Sequence, residues 1–219
     1  MSPVLIFDLD GTLIDSKKDI ADSLNYALAQ EGFATLPDRT IEEMVGHGAK
    51  TLVRDALGNP SEEALGRVFL TFWNYYQEHL LDQTRLYPGV EEFLESHSRL
   101  PKAVVTNKPE LFSQKILEGL GVRGHFRWLI GGDTLPIHKP DPQVFEPIFR
   151  DLGGRVEGVM VGDSHVDIEC GRAAGLATCA VSYGFRPREE LLAYEPDYLI
   201  DDFEDFLHLP FLRSGDTAK

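Results

Sequence analysis

The feature that most constrains the fold is a series of short, uninterrupted apolar runs, each followed by a polar turn and a helix-like segment. Four runs are clear and a fifth follows them: Val4–Phe7, 103–105, Trp128–Ile130, 159–161 and Ala177–Val181. Continuous apolarity, as opposed to alternation, is typical of strands buried on both faces of a parallel sheet. Strands that alternate with helices predict an α/β fold with a doubly wound, Rossmann-like parallel sheet.

Residues from about 16 to 82 interrupt this alternation. Their apolar residues recur at helical spacing, as at Val68, Phe72 and Tyr76, and the segment contains no convincing strand. A proline and a glycine after Tyr87 mark the return to the alternating pattern. The sequence therefore predicts a helical insertion between the first strand and the rest of the sheet.

These patterns divide the chain into two predicted domains. Residues 1–15 and 87–219 are expected to form the α/β core domain, and residues 16–86 a helical cap domain. The small, polar residues 214–219 are expected to be frayed.

Charge and composition exclude several classes of function. With 21 basic and 36 acidic residues, the net charge is −15, which repels nucleic acid and anionic membranes. No apolar stretch is long enough to span a bilayer, and the N-terminus lacks the pattern of a signal peptide. The two cysteines, Cys170 and Cys179, are not in a C-x-x-C arrangement, which favours a reducing cytoplasm. Whether the protein is a monomer or a homodimer stays open.

The strongest local signal is Asp8-Leu9-Asp10-Gly11-Thr12, directly after the first predicted strand. Side chains two apart point the same way in an extended chain, so Asp8 and Asp10 can converge on one ligand while Gly11 lets the chain turn away. An acidic turn at a strand end is the simpler alternative. An EF-hand loop is excluded, because its glycine stands at the sixth position of the acidic run, whereas Gly11 stands at the fourth.

Other polar residues follow the later predicted strands. Thr106 and Asn107 follow the second, Asp133 ends the turn after the third, and Asp163 follows the fourth. In open α/β sheets, ligands bind beyond the carboxyl ends of the strands. We therefore expect these groups at one edge of the sheet, although Thr106 and Asn107 could also simply begin a helix and Asp133 could cap a turn.

Four motifs in this order resemble the signatures of the phosphatase branch of the haloacid dehalogenase superfamily. The first is Asp8-Leu9-Asp10-Gly11-Thr12 and the second Thr106-Asn107. The third is Lys139-Pro140-Asp141-Pro142 and the fourth Gly162-Asp163-Ser164-His165-Val166-Asp167. The resemblance covers nearly the whole chain and implies an enzyme that hydrolyses a small phosphorylated metabolite through an aspartyl-phosphate.

The resemblance also implies catalytic roles. Asp8 would be the nucleophile, and Asp10 would protonate the leaving oxygen and then activate water. Lys139 would counter the charge of Asp8 and of the phosphate. Thr106 and the backbone of Asn107 would donate to the phosphoryl oxygens. The turn residues Gly11 and Thr12 complete the predicted substrate-binding set on the core.

The implied cofactor is Mg²⁺, which prefers hard oxygen ligands. Asp8 and Asp163 would bind it through their carboxylates, and Asp10 through its backbone carbonyl. Asp167 is included in the predicted metal site, although its spacing from Ser164 also matches a capping box at a helix start.

The predicted cap contains a Gly-His-Gly loop that could select the substrate. Within it, His47, Gly48 and Lys50 are predicted to contact an anionic substrate, because the glycines permit close backbone approach and Lys50 carries positive charge. An ordinary joint between two helices is the alternative. This loop, Asp15-Ser16 and the residues around Thr106 also resemble the phosphoglycolate phosphatase subfamily.

Other functions share part of these signatures. A phosphosugar mutase of the β-phosphoglucomutase type would use the same two aspartates, and an inorganic pyrophosphatase of the same superfamily is a third alternative. A non-enzymatic phosphate-binding module would have no need of a nucleophilic Asp8. In each enzyme we expect the cap to open and close, with hinges near Asp15-Ser16 and Leu86-Tyr87.

Overall fold

A computed structural model describes residues 3–210. Its main feature is a six-stranded parallel sheet with the strand order β5-β4-β1-β6-β7-β8. Strands are numbered along the chain, and those of this sheet are β1 (Val4–Phe7), β4 (Lys102–Val105), β5 (Trp128–Ile130), β6 (Gly158–Gly162), β7 (Ala177–Val181) and β8 (Tyr198–Ile200). The predicted α/β fold is confirmed. The expectation for the tail, residues 214–219, falls outside the described residues.

Three strands were not predicted from the sequence. β8 has only three residues, and β2 (Ile14–Asp15) and β3 (Arg85–Leu86) have two each. β2 and β3 pair in antiparallel fashion, with Ile14 opposite Leu86. Strands this short carry too few residues for a periodic pattern, so only the pairing partner reveals them.

Helices occupy the connections. Four of them lie between β2 and β3: α1 (Lys17–Gln30), α2 (Asp38–Met44), α3 (Ala49–Leu57) and α4 (Glu62–Glu78). The others are α5 (Val90–Ser96), α6 (Glu110–Gly119), α7 (Glu146–Asp151), α8 (His165–Ala174) and α9 (Arg188–Ala193). Short 3₁₀ turns span Arg123–His125, Pro142–Phe145 and Phe203–His208. The predicted helical character of residues 16–82 is confirmed, while the division into core and cap domains stays a prediction.

The central strand β1 explains why its sequence is apolar throughout. Its side chains alternate between the two faces of the sheet, and all four are fully buried. Leu5 and Phe7 belong to one apolar cluster, and Val4 and Ile6 to the other. The Phe7 ring alone contacts four further aromatic rings, at centroid distances of 5.6–6.5 Å: Phe93, Phe126, Phe203 and Phe206.

One buried carboxylate joins the helical insertion to the segment that returns to the sheet. Asp19, on the first turn of α1, is 2% exposed. It accepts hydrogen bonds from the backbone N–H groups of Gln83 (2.9 and 3.0 Å) and Thr84 (2.8 Å). The Thr84 hydroxyl donates a further bond of 2.7 Å. Asp19 therefore holds the start of the insertion against its end.

No helix in residues 3–210 is both long enough and apolar enough to cross a membrane.

We expect Asp19→Ala to lower the free energy of unfolding by about 2–4 kcal/mol, because two backbone N–H groups and a hydroxyl lose a charged acceptor. Asp22→Ala on the same helix is the control, since that side chain is 51% exposed and pairs only with Lys18 among the described residues; its cost should stay below about 1 kcal/mol. Urea unfolding followed by circular dichroism measures both. Equal losses would contradict the role assigned to Asp19.

Candidate active site

The strand order brings the predicted site residues together. β1 lies between β4 and β6, so the residues that follow these three strands meet at the carboxyl edge of the sheet. A cleft opens there. Its walls include six predicted site residues, Asp8, Asp10, Gly48, Thr106, Asn107 and Asp163.

A buried ammonium lies between two carboxylates at the centre of this edge. Lys139 Nζ is 3.0 Å from Asp8 Oδ1 and 2.6 Å from Asp167 Oδ1, and its side chain is 2% exposed. Burial by itself lowers the pKa of Lys139, but the charges of Asp167 and Asp8 outweigh it and raise the pKa. Lys139 therefore carries a positive charge against Asp8.

The charged form of Asp8 is disfavoured by its surroundings, whereas the charged form of Lys139 is favoured. Burial raises the pKa of its carboxyl to about 6, because the loss of water outweighs the attraction of Lys139, and the charge of Asp167 adds to the rise. Asp8 Oδ1 is buried and, within residues 3–210, makes no hydrogen bond in addition to its ion pair. The hydrogen-bonding capacity of this oxygen is therefore only partly used.

Asp167 also fixes the start of α8. Its Oδ2 accepts from the N–H (3.2 Å) and the hydroxyl (2.6 Å) of Ser164, the residue that caps the helix. The capping box suggested by the sequence is confirmed. Both oxygens of Asp167 consequently have protein partners, one on Lys139 and one on Ser164.

Asp163 lies in a narrow space that only glycine permits. A Cβ at Gly11, whose φ is +77°, would lie 2.2 Å from Asp163 Oδ2, and one at Gly184 would lie 2.3 Å from Asp163 Cβ. The Phe185 N–H donates to Asp163 Oδ2 at 2.6 Å. Burial, together with the charges of Asp167 and Asp8, raises the pKa of Asp163 well above its ordinary value.

These three carboxylates fit a metal ion. Asp8, Asp163 and Asp167 each place one oxygen within 4.8 Å of the others. Three buried carboxylates facing a single ammonium repel one another, and a divalent cation relieves that repulsion. The set is made of hard oxygen donors, as Mg²⁺ requires. The Asp10 side chain is outside this cluster.

Asp10 instead belongs to a second charged group. Its carboxylate accepts from Ser16 Oγ (2.5 Å) and from Lys108 Nζ (3.0 and 3.2 Å). Lys108 Nζ also donates to Tyr76 Oη at 2.5 Å. Burial by itself lowers the pKa of Lys108, but Asp10 and Tyr76 more than compensate, so the pKa is raised.

Sequence reasoning missed Lys108, Ser16 and Tyr76. The helical spacing of Tyr76 with Val68 and Phe72 predicts only a packing role, and its ring does pack on Phe72 and Phe112. Lys108 directly follows Thr106-Asn107 at a strand end, and a cation at that edge was the signal that could have found it.

Asn107 joins three segments around the cleft. Its side-chain amide donates to the backbone carbonyls of Gly46 (3.0 Å) and Lys139 (3.1 Å), and its Oδ1 accepts from the Lys139 N–H (3.0 Å). Thr106 is 4% exposed, and its hydroxyl accepts from the Lys108 N–H. The strand end after β4 is therefore connected to both the lysine motif and the loop after α2.

The family model of the haloacid dehalogenase-like hydrolases matches residues 5–181, from β1 to the end of β7. The chain belongs to this family. The motif resemblance noted in the sequence is confirmed, and the protein is a hydrolase of this fold.

Relatives agree with this assignment. A phosphoglycolate phosphatase of Colwellia psychrerythraea is 39% identical over 93% of this chain and 95% of its own length. Phosphoglycolate phosphatase 1 of Pseudomonas aeruginosa is 35% identical, covering 93% of this chain and 78% of the relative. The crystal structure of a predicted phosphoglycolate phosphatase from Haemophilus somnus superimposes with a TM-score of 0.87 at 33% identity, covering 94% of this chain and 97% of that chain.

The loop between α2 and α3 lies only partly at the cleft of this hydrolase, and its predicted contact with substrate stays a prediction. Gly48 lines the cleft, and Arg186 donates hydrogen bonds to the backbone carbonyls of Glu43 and Val45 at the end of α2. The side chains of His47 and Lys50 are exposed and do not line the cleft. For Lys50 the physical reason is that α3 buries Leu52 and Val53, which turns this position of its first turn outward.

Thr12 of the first motif is fully buried behind the cleft of the hydrolase. Its carbonyl accepts from the Tyr183 hydroxyl at 2.8 Å, whereas its own Oγ1 has no hydrogen-bond partner in the described part of the chain. Neither Gly11 nor Thr12 lines the cleft, so their predicted contact with substrate stays a prediction.

Gly11→Ala tests the close approach to Asp163, and Gly32→Ala is its matched control. Both glycines have nearly the same φ, +77° and +79°, but nothing lies within 4 Å of a Cβ at Gly32. We expect about 1–2 kcal/mol of destabilisation from the left-handed backbone at both sites, and at least about 2 kcal/mol more at Gly11 from the clash. Urea unfolding compares them, and equal losses would show that Asp163 moves aside freely.

Proposed function

We propose that this hydrolase is a Mg²⁺-dependent phosphatase that acts on 2-phosphoglycolate through an aspartyl-phosphate. The observation that carries the proposal is the pairing of two largely buried aspartates that follow β1 with two separate lysines, Asp8 with Lys139 and Asp10 with Lys108. One carboxylate is thereby held for nucleophilic attack and the other for proton transfer. The names of the relatives support the choice of substrate.

In the first step, Asp8 would attack phosphorus. A bond forms between a carboxylate oxygen of Asp8 and phosphorus, and the ester P–O bond breaks as Asp10 protonates the leaving alcohol oxygen. In the second step, Asp10 takes a proton from water, whose oxygen attacks phosphorus and releases phosphate from Asp8. Lys139, 3.0 Å from Asp8, offsets part of the negative charge in both steps.

The groups around Asp8 would hold the transferring phosphoryl oxygens. Thr106 can offer its hydroxyl and Asn107 its backbone N–H, since both line the cleft. The side-chain amide of Asn107 is occupied by the carbonyls of Gly46 and Lys139, so it would position these loops and leave phosphate to the backbone. Gly11 and Thr12 would support the same turn.

Mg²⁺ would be held by Asp8 and Asp163, together with the backbone carbonyl of Asp10. When bound, the ion supplies positive charge to the phosphoryl oxygens. Asp167 belongs to the same acidic cluster, but both of its oxygens have protein partners. We therefore assign Asp167 to the positioning of Lys139 and Ser164 beside the metal.

The cellular setting that we propose is the cytoplasm. The two cysteines are buried and unpaired, which suits a reducing compartment. The substrate would be a small phosphorylated metabolite, as the names of the relatives suggest.

Asp8→Asn is expected to lower phosphate release by about 10⁴-fold or more while preserving the fold, because an amide of the same shape is a poor nucleophile. Asp22→Asn, a change at an exposed carboxylate of α1, is the matched control and should keep wild-type activity. Release of inorganic phosphate and circular dichroism are the measurements. Near-normal turnover by Asp8→Asn would rule out Asp8 as the nucleophile.

A substrate panel tests the proposed reaction itself. Phosphate release from 2-phosphoglycolate, β-glucose 1-phosphate and pyrophosphate is compared with and without Mg²⁺. We expect strong, Mg²⁺-dependent preference for 2-phosphoglycolate. Preference for pyrophosphate, or conversion of β-glucose 1-phosphate without phosphate release, would replace the proposal with a pyrophosphatase or a mutase.

A further inference from the structure

Lys108 is a cation in the wall of the cleft that pairs with Asp10, but the two-step reaction described above gives it no contact with the substrate. It follows β4 directly, its side chain is 4% exposed, and it lines the cleft beside Asp10. Its Nζ lies 3.0 Å from Asp10 Oδ1 and 2.5 Å from Tyr76 Oη, and 4.6 Å from the centre of the Tyr76 ring. Tyr76 itself is on α4, so the helical insertion and the sheet together hold this ammonium.

The ammonium has capacity for one more partner. A lysine carries three N–H donors. Its Nζ makes three hydrogen bonds, to both carboxylate oxygens of Asp10 and to Tyr76 Oη. If one N–H is shared between the two oxygens of Asp10, one N–H is left for an occupant of the cleft. An anion would form the strongest hydrogen bond with this ammonium, because water screens charges poorly at so buried a position.

The other cations near the cleft are engaged elsewhere. Lys139 lies between Asp8 and Asp167. Arg186 directs both terminal nitrogens at backbone carbonyls of the loop after α2, and its Nε lies 3.9 Å from Glu190. Among the cleft-lining residues, Lys108 is therefore the cation that adjoins the proposed proton donor, Asp10.

In a short substrate, the distance from the ester oxygen to Lys108 suits a carboxylate. In the proposed reaction, the leaving ester oxygen lies within a hydrogen bond of Asp10, and Lys108 Nζ is a further 3.0 Å from that carboxylate. A carboxylate separated from the ester oxygen by one carbon would thus come within reach of Lys108.

The rest of the cleft favours such a short acid over a sugar. Its remaining wall is largely apolar, with Ile20, Leu52, Phe72 and Phe112 facing the space. Several sugar hydroxyls would lose water there without finding partners, which costs binding energy for each.

We infer that Lys108, positioned by Tyr76, binds the second anionic group of the substrate and selects short phosphate esters that carry a carboxylate one carbon from the ester oxygen. This inference rests on the proposed phosphatase function and assigns its specificity to a residue of the core, whereas the sequence pointed to His47 and Lys50 in the loop after α2.

The test compares two substrates that differ only in whether they carry the carboxylate proposed to bind Lys108. 2-Phosphoglycolate carries the carboxylate, and 2-hydroxyethyl phosphate replaces it with a neutral alcohol of similar length. The measured quantity is the ratio of their kcat/KM values, because loss of the lysine beside Asp10 also lowers both rates. Circular dichroism checks that each variant is folded.

Lys108→Met is expected to lower this selectivity ratio about 10- to 100-fold, the loss typical of one charge-assisted hydrogen bond. Lys108→Arg keeps the charge and should restore part of the ratio. Tyr76→Phe keeps the ring but frees the ammonium, and should lower the ratio by less than Lys108→Met. Arg186→Gln removes the other cation of the cleft wall and should leave the ratio within about 2-fold of wild type.

Equal losses on both substrates in Lys108→Met would overturn the inference while the phosphatase proposal stands. A fall in the ratio for Arg186→Gln as large as that for Lys108→Met would also overturn it. If wild type releases phosphate from neither ester, the proposed function fails. Binding of both esters to Asp8→Asn, with and without Lys108→Met, is then measured by calorimetry. If Lys108→Met weakens the binding of 2-phosphoglycolate selectively, the inference is supported. If the preference for 2-phosphoglycolate over 2-hydroxyethyl phosphate is unchanged, the inference is refuted.

Discussion

The ion pair between Lys139 and the carboxylates of Asp8 and Asp167 is the interaction around which the edge of the sheet is arranged. All three groups are nearly removed from water, and removing one partner from such a buried set typically costs about 3–5 kcal/mol. The surroundings satisfy the remaining polar atoms, since Ser164 binds Asp167 and Asn107 binds the backbone at Lys139. The lysine motif, the acidic motif and the end of β1 are consequently held in one fixed relation.

A second ion pair, between Lys108 and Asp10, gives the two aspartates that follow β1 different surroundings. Asp10 lies two residues after Asp8, yet it is paired with Lys108, which donates a further hydrogen bond to Tyr76 of α4. Each proposed catalytic carboxylate thus has its own lysine and its own set of neighbours. Because Tyr76 comes from the helical insertion, the environment of Asp10 depends on where that insertion lies, whereas the environment of Asp8 is made by residues that follow sheet strands.

Such close packing of charges requires backbone without side chains at the sheet edge. Gly162 leaves no space for a Cβ, which would lie 2.2 Å from Asp167 Cγ, and a Cβ at Gly132 would lie 2.3 Å from the Asn107 carbonyl oxygen. Gly11 plays the same part beside Asp163. Glycines in these motifs are therefore explained by the space that neighbouring acidic and amide groups occupy, in addition to the turns they form.

The sequence by itself determined the parallel sheet and which polar groups follow its strands. Continuous apolar strands and polar residues directly after them are local patterns, so the place of Asp8, Thr106 and Asp163 at the sheet edge could be predicted, whereas Lys139 was found through the resemblance of its motif. Tertiary structure alone decided which groups pair, because Lys108 lies 98 residues from Asp10 and 32 from Tyr76 along the chain. It also decided that His47 and Lys50 face solvent, since the orientation of α3 follows from the burial of Leu52 and Val53 against residues distant in sequence. Sequence periodicity indicates which faces of a helix or strand are apolar. Only tertiary packing decides which partner each polar side chain contacts.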